Sequence, residues 1–112
     1  MPDSYCVILS TTGSREEADR LAELLVSQKL AACVQISAIS SVYMWQGELH
    51  KDAEFLLLIK TAASRYAEIE AAIVKNHSYE VPEIVQLPIE NGLPAYLEWI
   101  SENTSSASVP RG

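Results

Sequence analysis

Ser41-Val42-Tyr43-Met44-Trp45, followed by Gln46-Gly47-Glu48 and then by Glu54-Phe55-Leu56-Leu57-Leu58-Ile59-Lys60, spells one long hairpin in the middle of the chain. Its first arm is β-branched and aromatic, its tip sets a glycine between polar residues, and its second arm is almost continuously apolar, as in strands covered on both faces. A hairpin of this length overshoots a small domain. Tyr43 and Trp45 near its tip are rings that one chain of this size cannot cover, so the tip is expected to reach a second copy.

Working outward, Tyr5 to Ser10 reads as a short strand ended by Thr11-Thr12-Gly13. Ser14 and Glu17 have capping-box spacing, and Ala18, Leu21, Ala22 and Leu25 continue at helical spacing, with Lys29 expected in the last turn against the helix dipole. Ala32 to Trp45 alternates imperfectly as a second strand, with Ser37, Ser40 and Ser41 expected as irregularities or bulges. Phe55 to Lys60 is the third strand. A second helix is expected to start within Thr61 to Ser64, burying Tyr66, Ile69, Ala72 and Ile73 while Arg65, Glu68 and Lys75 face outward, and to fade at Asn76-His77-Ser78. Ile84 to Ile89 is a fourth strand whose Pro88 belongs at an edge or a strand end. Pro94 suits the first turn of a last helix that buries Leu97 and Ile100.

Strand, helix, strand, strand, helix, strand is the split βαβ, ferredoxin-like arrangement, an α/β (α+β) sandwich with one antiparallel sheet and helices on one face. The other face carries apolar residues that an oligomer would bury at roughly 25 cal/mol per Å². The domain is expected over 1–103, and 104–112, rich in serine and without periodicity, is expected to be disordered.

With 48% hydrophobic residues in 112 the chain has enough apolar material for one core and too little length for two domains. The formal net charge of −7, with eight scattered basic residues, excludes a nucleic-acid surface and disfavours anionic membranes. No segment approaches the roughly twenty apolar residues of a membrane span. Pro2-Asp3-Ser4 lacks the basic start of a secretion signal, and the two cysteines, Cys6 and Cys33, are expected reduced in the cytoplasm. No glycine-rich phosphate loop and no Ser-His-Asp spacing is present, because the glycines are isolated and no aspartate is tied to a histidine.

Five segments in order, Lys29-Leu30-Ala31-Ala32-Cys33-Val34, Tyr43-x-Trp45-x-Gly47, Glu54 with Lys60-Thr61, His77-x-Tyr79-Glu80-x-Pro82-Glu83 and Tyr96-Leu97-x-Trp99, resemble the CutA family of divalent-cation tolerance proteins. The resemblance runs from Tyr5 to Trp99. It implies a ferredoxin-like subunit in a tight homotrimer similar in architecture to the P-II signalling proteins, without enzymatic activity. It also implies binding of copper or other divalent cations, with a cysteine and a histidine as ligands at positions that match Cys33 and His77. The chain departs from the pattern at Ser10, where some members carry a further cysteine, and at Asn76, where some carry a second histidine. His77-Ser78-Tyr79-Glu80 also replaces the common His-Pro-Tyr-Glu.

The residue chemistry agrees in part. Thiolate is a soft ligand suited to Cu(I) and imidazole suits Cu(II) or zinc, but Cys33 between Ala32 and Val34 also reads as a small core residue. His77 equally suits a helix end, where the dipole favours an imidazolium. His50, among Glu48, Lys51 and Asp52, reads as a solvated loop residue, and Cys6 as plain core. Glu54, Lys60, Tyr79 and Glu80 are candidates to line a cleft between subunits with Cys33 and His77. The competing readings are a P-II-like regulatory trimer with a small anionic metabolite near Lys60, and an enzyme with Cys33 as nucleophile and His77 as base.

Overall fold

In the computed structural model, which describes residues 4–105, eight elements follow in the expected order. They are β1 (Tyr5–Thr12), α1 (Arg15–Ser27), β2 (Cys33–Trp45), β3 (Glu48–Ala62), a 3-10 turn (Ala63–Arg65), α2 (Tyr66–Asn76), β4 (Ile84–Ile89) and α3 (Pro94–Asn103). One antiparallel sheet has the strand order β2-β3-β1-β4, the ferredoxin-like order in which the two βαβ halves interleave.

Alternation divides the sheet cleanly. Cys6, Ile8, Leu57 and Ile59 point to one face and are fully buried under Leu21 and Leu25 of α1 and Ile69 and Ile73 of α2. Each such side chain contributes about 1.5–3 kcal/mol on leaving water, so this layer is the main stabilising core. The opposite face carries Val7, Leu9, Leu56, Leu58, Val85 and Leu87, and Val85 and Leu87 on its edge are exposed. Helix α3 meets the sheet from this second side, through a hydrogen bond of 2.6 Å between the hydroxyls of Tyr5 and Ser101 and through Lys60 Nζ, 5.6 Å from the Tyr96 ring centroid.

The hairpin is longer and more regular than its composition indicates. Strand β3 begins at Glu48, not at Phe55, and β2 and β3 pair without a break from Cys33↔Lys60 to Trp45↔Glu48, so no bulge occurs at Ser37, Ser40 or Ser41. The reason is solvent: β1 pairs with β3 only as far as Phe55, so the seven pairs from Ile39↔Glu54 outward form a ribbon beyond the sheet, about 23 Å long at about 3.3 Å per residue. A ribbon with no core face has no need to alternate polar and apolar residues. The turn is two residues, Gln46 and Gly47, both at positive φ (51° and 80°), the primed geometry whose twist matches the strands. The ribbon draws the molecule out to 49 × 32 × 20 Å.

Other local expectations shift for physical reasons. Helix α1 stops at Ser27 with Gln28 as its cap, and Lys29 adopts φ 61° beyond it, so Lys29 turns the chain rather than meeting the dipole. Ser14 caps α1 through Glu17 N–H at 3.1 Å, but the Glu17 side chain does not reach back to complete a capping box. Arg65 is buried, not outward: its Nε donates to the Thr104 carbonyl at 2.8 Å and its Nη1 pairs with Glu68 at 2.6 Å. Thr104, expected in a disordered tail, is itself buried, with its hydroxyl on the Ile100 carbonyl at 2.8 Å. The remaining tail from residue 106 lies outside the described residues. Among the described residues no helix is long and apolar enough to cross a membrane.

Candidate functional site

The candidate residues fall into two places at opposite ends of the sheet. Cys33 opens β2 opposite Lys60, which itself faces Val7 near the start of β1, and its side chain is a half-buried free thiol. The Ala32 N–H donates to the Lys60 carbonyl at 2.9 Å and locks the entry to the strand. Lys60 extends over Tyr96, whose ring stacks on Trp99 with centroids 5.5 Å apart.

His77 lies at the other end, just past α2. Its side chain is fully shielded. The Tyr79 N–H donates to Nδ1 at 3.0 Å, so Nδ1 carries no proton, and the proton on Nε2 is donated to the Thr11 carbonyl at 2.6 Å. Both ring nitrogens are therefore in use as a clamp between the end of β1 and the segment after α2. Thr11 pairs with Leu56, four residues along β3 from Lys60, so the carbonyl that His77 holds and the strand position of Cys33 are about 13 Å apart along the sheet. Among the described residues no three His, Cys, Asp or Glu side chains converge to hold a metal ion. The separation also deprives a Cys33 nucleophile of His77 as its base within one chain.

Glu17 is the member of this cluster to which pattern reading gave only a local capping role. Its carboxylate accepts the Ser78 N–H at 2.8 Å and the Ser78 hydroxyl at 3.0 Å, and lies 3.6 Å from His77 Nδ1. The Ser14 to Glu17 spacing marked the residue, but its partner lies 61 residues away.

Held in this way, Tyr79 donates its hydroxyl to Glu54 Oε2 at 2.8 Å and its ring sits 4.8 Å from His77. Burial, together with the Glu54 carboxylate, pushes the Tyr79 phenol far above its usual range, so it remains a donor at neutral pH. Gly13 leaves room for it: a Cβ there would stand 3.1 Å from the Tyr79 oxygen. On the ribbon, Tyr43 donates to Asp52 and stacks at 5.4 Å on His50, which is a strand residue rather than a loop residue. Between the ribbon and residues 78–83 runs a groove of about 680 Å³. Glu54, Tyr79 and Glu80 line it, whereas Lys60 and Cys33 do not and His77 supports it from behind. Cys6 is the core residue expected of it, and burial raises its thiol pKa.

The interleaved four-stranded sheet, the helices on it and the overlong hairpin define a small ferredoxin-like α/β protein. A family model described as "CutA1 divalent ion tolerance protein" matches residues 6–103, and the chain belongs to that family. It is 46% identical over 99 residues to the divalent-cation tolerance protein CutA of Thermus thermophilus, covering 88% of this chain and 96% of that one. It is 44% identical over 99 residues to the chloroplastic protein CutA 1 of Oryza sativa, covering 88% of this chain but 56% of the rice protein. The solved structure of rice CutA1 superposes with a TM-score of 0.90 at 42% identity, covering 94% of this chain and 97% of that chain. The structure of the periplasmic divalent cation tolerance protein CutA from Archaeoglobus fulgidus gives 0.89 at 40%, covering 90% and 99%.

Proposed function

We propose that this protein acts as a homotrimer in the tolerance of divalent cations, without catalysing a reaction, and that it binds copper with Cys33 and His77 as ligands. The observation that carries the assembly is the ribbon: Val42, Met44 and Leu49 are more than 60% exposed, and Tyr43 and Trp45 about 40%, on a stretch that pairs with nothing but itself. Apolar surface of this kind is the ordinary mark of a protein–protein contact. The tolerance role follows the descriptions of its relatives.

The two ligands differ in readiness. Cys33 presents a soft donor on the face that assembly would cover, so that copies of the thiol, or a thiol and side chains of a second copy, could complete a site. His77 must first release the Tyr79 N–H from Nδ1 or the Thr11 carbonyl from Nε2, and so would enter coordination only with a rearrangement of residues 77–80. Two unpaired thiols suit a reducing compartment, and we place the protein in the cytoplasm.

Titration of the purified protein with Cu(I) and Cu(II) under a competing chelator tests the reading, beside Cys33→Ala and His77→Ala variants. Stoichiometric binding that the Cys33 variant abolishes and the His77 variant weakens supports it. Equal weak uptake in all three would leave the acidic surface as the only metal binder and sink the proposal.

A further inference from the structure

Asn91-Gly92 lies in the exposed irregular segment between β4 and α3. Ile89, two residues earlier, pairs with Tyr5, and Tyr5 pairs on its other side with Ala62, so this segment sits at the end of the sheet opposite the ribbon. The chain has three asparagines, and the other two are held. Asn76 Nδ2 donates to the Ala72 carbonyl at 2.8 Å and Asn103 Nδ2 to the Trp99 carbonyl at 2.9 Å. Each closes the last turn of a helix, and each is followed by a residue, His77 or Thr104, whose side chain crowds the next backbone nitrogen. Among the described residues nothing hydrogen-bonds the Asn91 side chain or the Gly92 N–H.

An asparagine carries an electrophile, its amide carbon, within reach of the nitrogen of the next residue. The Gly92 nitrogen, once deprotonated, attacks Asn91 Cγ; the new N–C bond closes a five-membered succinimide, and the side-chain nitrogen takes up a proton and leaves as ammonia. Water then opens the ring at either carbonyl, giving aspartate, or isoaspartate with a methylene added to the main chain. Closure requires the nitrogen to swing onto Cγ, which a side chain on residue 92 would obstruct and glycine's free dihedrals permit. Packing calls for glycine here, since a Cβ on residue 92 would stand 3.0 Å from Leu97 Cδ2. The feature that lets α3 lie against this turn is the one that leaves Asn91 unprotected.

We infer that Asn91-Gly92 is a modification site, at which the protein deamidates spontaneously through a succinimide and the isoaspartyl product loosens the start of α3. Each event adds one negative charge to the net −7. The first turn of α3 has neither an acid nor a side-chain cap. Aspartate at 91 sets a carboxylate near the positive end of the helix, which favours it. Isoaspartate lengthens the main chain two residues before Leu93, whose carbonyl accepts the Tyr96 and Leu97 N–H groups at 2.9 and 3.0 Å, and so disturbs that turn.

The test ages the full-length protein in its native assembly at mildly alkaline pH and maps the products by electron-transfer mass spectrometry, with labelled methyl transfer to isoaspartyl carboxylates as a second readout. Conversion at Asn91 is expected about tenfold or more faster than at Asn76 or Asn103, and faster at higher pH, because the attacking nitrogen must lose its proton. Gly92→Ala, whose Cβ meets only the end of the flexible Leu97 side chain, and Asn91→Gln, which needs a six-membered ring, should each slow it about tenfold or more. The isoaspartyl fraction, taken by anion exchange, should show faster amide exchange at Tyr96 and Leu97, and unchanged exchange there would overturn the effect on α3. Comparable rates at all three asparagines, or the full rate in Gly92→Ala, would overturn the site. So would an Asn91 that stays intact in the native protein and converts only in urea, for then a second copy covers the turn.

Discussion

The Glu17 carboxylate, one turn into α1, holds both the N–H and the hydroxyl of Ser78, at 2.8 and 3.0 Å. A side chain placed to finish a local capping box has instead become the tie between the first helix and the segment after the second. With His77 bridging Thr11 and Tyr79, it fixes the loop that carries Tyr79 and Glu80 to the groove.

Glu17→Ala should therefore act at a distance. It leaves the partly buried Ser78 N–H without an acceptor, a loss of about 1–3 kcal/mol. Amide exchange should accelerate at Ser78 and Tyr79 while α1 remains formed, since Ser14 still caps it. Unchanged exchange at those amides would show that the tie carries no load.

Ser10 is fully buried on the helix face of β1, and its hydroxyl has no hydrogen-bond partner among the described residues. Removing an unsatisfied buried hydroxyl should cost nothing, so Ser10→Ala is expected to leave denaturant stability unchanged or to raise it by up to about 1 kcal/mol. A loss of more than about 1 kcal/mol would reveal a partner for the oxygen, such as a bound water.

The Tyr79 hydroxyl predicts an alkaline signature. Its pKa in the fold is raised above the ordinary 10.0, so the unfolded chain loses this proton first as pH rises. The stability it contributes is complete below about pH 10 and is lost as pH climbs from there through the folded value. Tyr79→Phe should be less stable at neutral pH by about 1 kcal/mol and should lose less on going to alkaline pH. Tyr43 and Tyr66 are raised as well, so the slope is reduced rather than abolished. Phenolate absorbance against pH, compared with unfolding curves, would decide it, and identical slopes for the two proteins would refute the assignment.

Polar substitution on the ribbon separates folding from assembly. Met44 and Leu49 face each other there and are both 62% exposed, so Met44→Glu with Leu49→Lys should leave the subunit fold intact. Light scattering after gel filtration should show a smaller species, with a melting temperature that no longer rises with protein concentration. Unchanged mass and stability would remove the ribbon from the proposed trimer's interface.

Much of the architecture was open to reading because its signals are short-range. The glycine at 47, the capping serine at 14, the helical spacing of Leu21 and Leu25 and the proline at 94 each act within about one turn of chain, and each element appeared where these signals put it. Misreadings arose where solvent or a distant partner overrode the local signal. Glu48, His50, Lys51 and Asp52 looked like loop because they are polar, yet a ribbon exposed on both faces tolerates polar residues throughout. Arg65 looked like surface because it is charged, yet a carbonyl 39 residues away receives it.

By itself, then, the sequence determined the element order, the interleaved sheet and the core faces, because periodicity, caps and turns depend on near neighbours and on the sign of hydropathy, and its ordered motif segments carried the resemblance to the family. Only the tertiary structure decided that His77 is a clamp with both nitrogens occupied, that Glu17 serves Ser78 rather than its own helix, and that Glu54 meets Tyr79 in an acidic, ring-lined groove far from Cys33. Apart from the Tyr79 N–H on His77, those contacts join residues 25 to 66 positions apart, and their geometry follows from strand register and helix docking, to which no local pattern in the chain is sensitive.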